Sequence, residues 1–308
     1  MVALAIAPHD AAGDALPGAR PIPRFQAVPL PGDQVSFRRD GRELTRFHHA
    51  PDLDRPFFYP LRASTESSLT RIGHPHDPVG HSHHDSVWFS HHDIEGTNFW
   101  SDGIRGGTGQ VVCDAVDAFS DSDESCSATA LIRWVVRESG ETLLHESRTA
   151  TVRVAPGDGD GWVLVLDSTF TIPDAREGTT LRETPFGLVG VRMAKTIGVH
   201  DGGGRILNSE GALNEDGVFR KPARWVDYSG AIEPGRTGGI TLMDAPTNPG
   251  HPHPFHVRDD GWMGVCLTLE KAVTVAKENP LALRYALWVH DGVPDAAQIE
   301  EVWKETGR

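Results

Sequence analysis

The sequence predicts an all-β protein: a large antiparallel β-sandwich with a short C-terminal helix. Three observations predict it. Apolar residues recur with period two through most of the chain, Gly, Pro, Asp and Ser turn signals punctuate those runs, and a helical stripe is confined to the C-terminus.

Residues 1–24 are rich in Ala, Gly and Pro and carry no periodicity, so they read as a loosely held N-terminal arm. Residues 25–308 read as a single sandwich domain, because no change of composition divides them. The alternating pattern starts at Phe25, and Asp40-Gly41 between two short alternating runs marks a hairpin. The cleanest alternation follows in mid-chain. Ala130, Ile132, Trp134 and Val136 are expected on one face, with Leu131, Arg133, Val135 and Arg137 on the other. After a Ser139-Gly140 turn a second run extends from Leu143 to Val154, and Trp162, Leu164, Leu166, Ser168, Phe170 and Ile172 alternate again. Three consecutive antiparallel strands are expected. The glycines at 201–204 lack the Lys-Ser or Lys-Thr ending of a phosphate loop and read as a turn. Asp295 and Gln298 form a capping box, and Ile299, Val302 and Trp303 give one apolar stripe, which predicts a short helix docked outside a sheet.

Composition bounds the function. A net charge of −14 opposes binding to nucleic-acid phosphates or an anionic membrane, both of which need a positive patch. A small neutral or cationic molecule is the expected partner. Cys113, Cys126 and Cys266 form no Cys-x-x-Cys pair, the N-terminus lacks a signal-peptide core, and no apolar run approaches the ~20 residues of a membrane helix. A cytoplasmic protein is expected.

The chemistry is expected between residues 74 and 100. Seven of the sixteen histidines fall there (His74, His76, His81, His83, His84, His91 and His92), interleaved with Trp88 and Trp100. If Gly80–Phe89 forms a strand, His81 and His83 point the same way, one pleat apart, and suit a divalent metal ion with His91 as a third ligand. Neutral imidazole also moves protons near neutral pH, so the reading holds with or without a metal. A second group, His251, His253, His256 and Arg258, lies in a loop stiffened by Pro246, Pro249, Pro252 and Pro254, suited to closing over an oxygen-rich ligand. Glu183 with Arg192, Asn208 with Glu210, and Asp227 with Tyr228 are further candidates to line a cleft.

GHSHHDSVWFSHHDIEGTNFW, together with RPFFYPL, RILNSEG, WVDYSG and NPGHPHPFHVRDDG, resembles the bacterial PmoA-like family, a domain of unknown function; the likeness runs from about Arg55 to about Gly292. The resemblance implies a galactose-mutarotase-like supersandwich and a role in sugar catabolism. It places the family's His-rich strand on His81, His83, His84 and His91, its following acid on Asp93, and its proline-loop positions on His256 and Arg258. Asp85 stands where the family often has Arg.

The expected function is a carbohydrate-active enzyme working by His and carboxylate acid–base chemistry on a sugar, keto-sugar or glycoside. His83 or His84 pairs with His256 as acid and base, and Glu183, Glu210 or Asp227 supplies the carboxylate. Arg192, Arg258, Trp88, Trp100, Tyr228 and Asn98 bind the substrate, since aromatic faces pack on sugar C–H surfaces. One alternative is a cupin-like metal-dependent oxygenase, weakened because His84, Asp85, Ser86 and Val87 follow His83 without the expected Glu. A non-catalytic carbohydrate-binding protein is the other. Self-association into a homo-oligomer stays open.

Overall fold

Alternation governs the architecture, because a strand with one apolar face must bury it against a second layer. The computed structural model describes residues 18–73, 81–157 and 161–306. The first sheet begins with β1 (Phe25–Leu30), β2 (Gln34–Arg39), β3 (Arg42–His48), β4 (Phe57–Leu61) and β5 (Val87–Phe89). The second begins with β6 (Gly109–Asp121), β7 (Ser125–Val136), β8 (Thr142–Val154) and β9 (Trp162–Thr171). The chain then exchanges between layers through β10 (Gly178–Leu181), β11 (Leu188–Arg192), β12 (Arg205–Asn208), β13 (Lys221–Pro222), β14 (Trp225–Glu233) and β15 (Arg236–Asp244). The last strands are β16 (Pro254–Arg258), β17 (Trp262–Cys266), β18 (Val273–Ala276) and β19 (Leu281–Asp291). Three short helices are described: α1 (Val199–Gly202), α2 (Asn214–Val218) and α3 (Ala296–Thr306).

Two large antiparallel sheets result. Nine strands run in the order β1-β2-β3-β4-β5-β11-β17-β16-β13, eight in the order β12-β14-β15-β19-β9-β8-β7-β6, and β10 pairs with β18 as a separate ribbon. The main core takes Phe37, Phe58, Phe89, Val191 and Val265 from the first sheet and Ile132, Trp134, Leu164, Leu242 and Leu287 from the second. The molecule is therefore an all-β sandwich.

The hairpin and the mid-chain strands form as the pattern predicts. Asp40 and Gly41 both take positive φ, 52° and 78°, between β2 and β3, as a two-residue turn matching strand twist requires. β7, β8 and β9 pair in sequence, with Trp134 fully buried and Leu131, three residues earlier and on the opposite face, 43% exposed. The Trp134 indole N–H donates to Glu146 at 2.9 Å, and Glu146 forms a buried ion pair with Arg148 at 2.7 Å. The 201–204 stretch ends α1, where Gly203 takes φ of 69°. Asp295 and Gln298 cap α3 reciprocally, each backbone N–H donating to the other's side chain, at 3.0 and 2.9 Å. Ile299 and Val302 then pack with Trp225, Met243 and Ala286 on the outer face of the eight-stranded sheet.

One strand differs from expectation. β5 covers only Val87–Phe89, and residues 81–83 form a turn in place of the earlier part of a Gly80–Phe89 strand. His81 is half-buried beside His83 in that turn, so strand alternation does not set their directions. His74, His76, Gly80 and residues 1–17 lie outside the described residues.

Replacing Trp134 by Ala is expected to cost about 3–5 kcal/mol, since it empties a large buried volume and removes the indole partner of Glu146. Chemical denaturation measures this, and a loss below ~1 kcal/mol, typical of surface positions, would contradict the core assignment.

Candidate functional site

The pleat that sends Val87, Phe89, Val189, Val191, Met263 and Val265 into the core sends Trp88, Gly190, Trp262 and Gly264 to the opposite, outer face of the nine-stranded sheet. Registers align these in a row across five strands: Phe57 faces Trp88, Trp88 faces Gly190, Gly190 faces Gly264, and Gly264 faces His256. The two glycines leave the space that the Trp262 ring occupies. A Cβ on Gly190 would lie 2.5 Å from that ring, and one on Gly264 would lie 2.8 Å from it and 2.8 Å from the Val189 carbonyl.

An aromatic floor forms there. Trp88, Trp100 and Trp262 meet pairwise with ring centroids 5.3–5.7 Å apart. His84 stacks on Trp262 at 5.2 Å with planes 23° apart. His83 lies 4.5 Å from His84 and 6.2 Å from Trp100, and His81 lies 4.9 Å from His84. Phe186 continues the floor, 5.4 Å from Trp100 and 5.5 Å from His256. Imidazoles thus stand at both ends of a Trp100–Phe186 platform.

Arg55 holds the turn carrying the histidines. Its guanidinium is buried and donates to the His83 carbonyl at 2.8 Å and to Asp85 at 2.9 Å. It also donates to the carbonyls of Phe99, Trp100 and Ser101 at 3.1, 2.8 and 3.2 Å. One side chain therefore ties residues 83–85 to the loop that presents Trp100. Asn98 secures that loop, its Oδ1 accepting the backbone N–H groups of Trp100 and Ser101 at 2.9 and 3.1 Å.

Burial sets the charge states. Burial first, then the positive charge of Arg55, lowers the His83 ring to about 4. Burial, then the charge of Arg192, holds His84 well below the ordinary histidine value. His256 is lowered to about 4, mainly by burial. All three are uncharged at neutral pH. The Nδ1 atoms of His83 and His84 are buried without a hydrogen-bond partner. His256 donates from Nδ1 to the Pro185 carbonyl at 3.3 Å, which fixes its tautomer and leaves the Nε2 lone pair. Burial raises the Asp85 carboxyl, opposed by its bond to Arg55.

The other predicted residues separate. The metal set does not assemble: fully buried His91 accepts the Asp93 N–H at Nδ1 (3.1 Å) and donates from Nε2 to Thr268 (2.8 Å), leaving no lone pair for an ion. Among the described residues no group of three or more His, Cys, Asp or Glu is placed to hold a metal. The proline loop turns its histidines inward. His251 and His253 donate to Asp244 at 2.9 and 3.0 Å; burial would raise that carboxyl, but these bonds and Asn248 outweigh it and hold it at about 2. Only His256 of that group reaches the aromatic face.

Tyr228 points into the core, its hydroxyl donating to the carbonyls of Arg258 and Asp259 at 3.2 and 3.0 Å. Asp227 points out of the other sheet, where His290 donates to it at 2.9 Å, near a cavity of about 1060 Å³ between that sheet and α3. Glu210 is exposed and pairs with Arg224 at 3.3 Å, while Asn208 closes its turn through the Glu210 and Ala212 N–H groups. Glu183 is exposed. Arg258 pairs with Glu215 and covers Phe219 with its centre 4.6 Å from the ring centroid. Arg192 is fully buried and is Trp262's cross-strand neighbour, so it belongs to the face. Arg55, Phe186, Gly190, Trp262 and Gly264 escape the sequence reading; the glycines within apolar strand runs were the available signal.

The molecule is an antiparallel β-sandwich that carries an aromatic and imidazole face on one sheet. Residues 34–304 match the model of the Family of unknown function (DUF6807), and the chain belongs to that family. Comparison with curated proteins finds no match. Among the described residues no helix is long and apolar enough to cross a membrane.

Gly264→Ala is expected to displace Trp262 and destabilise the protein by about 1–3 kcal/mol, against the small gain Gly→Ala brings where it fits. Unchanged denaturation midpoints would contradict the close approach. Histidines held near 4 bind no proton between pH ~6.5 and ~4, whereas their unfolded counterparts do. Stability is therefore expected to fall as pH drops through that window. His256→Gln should flatten the slope, and a melting temperature rising toward pH 5 would oppose the assignment.

Proposed function

We propose that the chain is a carbohydrate-active enzyme that moves protons on a sugar or keto-sugar lying against the Trp100–Phe186 platform. The observation that carries this is the pair of uncharged imidazoles at its ends, His83 and His256. Aromatic faces pack against pyranose C–H surfaces; one neutral imidazole accepts a substrate proton at its lone pair and returns it as the imidazolium so formed, while the N–H of the other donates a hydrogen bond to a substrate oxygen. Glu183, Glu210 and Asp227 take no part in this reading, because none stands on the face. His84 packs the floor and shapes it.

The resemblance to the PmoA-like family, with its sugar-catabolic character and supersandwich look, supports the carbohydrate side of the proposal. A cytoplasmic setting accords with three unpaired cysteines whose thiols burial raises, Cys113 to about 11 and Cys126 and Cys266 to about 12.

The test uses tryptophan fluorescence for binding, and deuterium uptake from D2O and polarimetry for turnover, over a panel of aldoses, ketoses and sugar acids. In His83→Ala and His256→Ala, binding should persist while turnover falls by about 100-fold or more, the usual range for a lost acid or base. Turnover unaffected in both variants refutes the assignment.

A further inference from the structure

Beside Trp262 of the aromatic floor two arginines share Asp260, with only part of their hydrogen-bonding capacity used. Arg192, fully buried on β11, donates from Nη1 to Asp260 at 2.9 Å, while its Nε and Nη2 have no partner. Arg71 donates its backbone N–H to the Arg192 carbonyl at 3.0 Å and its Nη2 to the Asp260 carbonyl at 2.8 Å; its Nε and Nη1 are likewise buried without partners. Burial and the neighbouring Arg192 charge lower Arg71 to about 10, as two like charges in one dry place require.

Buried guanidinium N–H groups are almost always satisfied, since leaving a charged donor unpaired is costly. The unused atoms have a specific shape. Nε–H and Nη2–H of one guanidinium are its side-on fork, two parallel donors that match the two oxygens of a carboxylate. Arg192 borders the face already described: it is the cross-strand neighbour of Trp262, and Trp262 stacks on His84, whose Nδ1 is also unpartnered. His81 and His83, half-buried, are the solvent-facing edge of the same cluster.

Resting on the carbohydrate reading, we propose that Arg192, with Arg71 beside it, forms a carboxylate subsite, and that the sugar taken by this face is an acid of the uronate or aldonate class. Local charge decides here. The net charge of −14 favours a neutral or cationic partner, but screening confines that field to within about 10 Å of exposed charges at ordinary ionic strength, and a buried fork acts at contact.

Fluorescence titration of the full chain with D-glucuronate, D-glucose 6-phosphate and D-glucose tests this. Glucuronate should bind at least about tenfold more tightly than glucose, the worth of one charge-assisted hydrogen bond. Arg192→Gln should abolish that preference. Arg192→Lys, which keeps the charge facing Asp260 and loses the fork, should lower it too, and Arg71→Gln at a half-buried position gives a readout should the Arg192 variants fail to fold. Equal binding of glucuronate and glucose overturns the carboxylate subsite and leaves the carbohydrate reading standing. Tighter binding of the phosphate overturns the carboxylate class. No binding of any sugar overturns both.

Discussion

A β-pleat sends alternate side chains to opposite sides of a sheet, and at the centre of the nine-stranded sheet both sides are apolar. One side is the sandwich core. The other is an aromatic face made by Phe57, Trp88, Trp100 and Trp262. A sandwich needs only its inner face dry, so an outer face paved with tryptophan is a departure that core packing does not require. Two facing glycines make it achievable: without side chains at Gly190 and Gly264, Trp262 lies across two strands and meets the imidazole of His84.

That face changes the chemistry of what borders it. Histidines in contact with indoles lose water and with it their affinity for protons, so His83, His84 and His256 are neutral. The same dryness makes the positive charges consequential. Arg55 commits both terminal nitrogens to carbonyls and Asp85 and acts as a fastener between two loops, whereas Arg192 and Arg71 share Asp260 and each retain two unused donors. Asp85 is accounted for inside the protein as the partner of Arg55.

The eight-stranded sheet follows a different rule. Its outer face is covered by α3, which docks through Ile299 and Val302. Asp227 and His290 lie on this side, hydrogen-bonded to each other with Thr241, which donates to Asp227 at 2.9 Å. Asp227 and His290, distant in the chain, thus meet on one sheet, and strand pairing rather than distance along the chain decides which groups come together.

The sequence by itself determined the fold class, the hairpin at Asp40-Gly41, the run of β7, β8 and β9 and the capped terminal helix. Each depends on neighbours a few residues apart, where period-two burial, positive φ and capping act locally. It also placed His83, His84, Trp88 and Trp100 in one stretch. Only the tertiary structure decided which groups converge. His91, Tyr228 and Asp227 carry the right chemistry but lie elsewhere: His91 bonds Thr268 beyond the end of β5, and Asp227 and Tyr228 sit on a strand of the other sheet. Trp262, Phe186 and Arg55 come from distant segments, and the registers that bring them together are set by pairing between strands far apart in the chain.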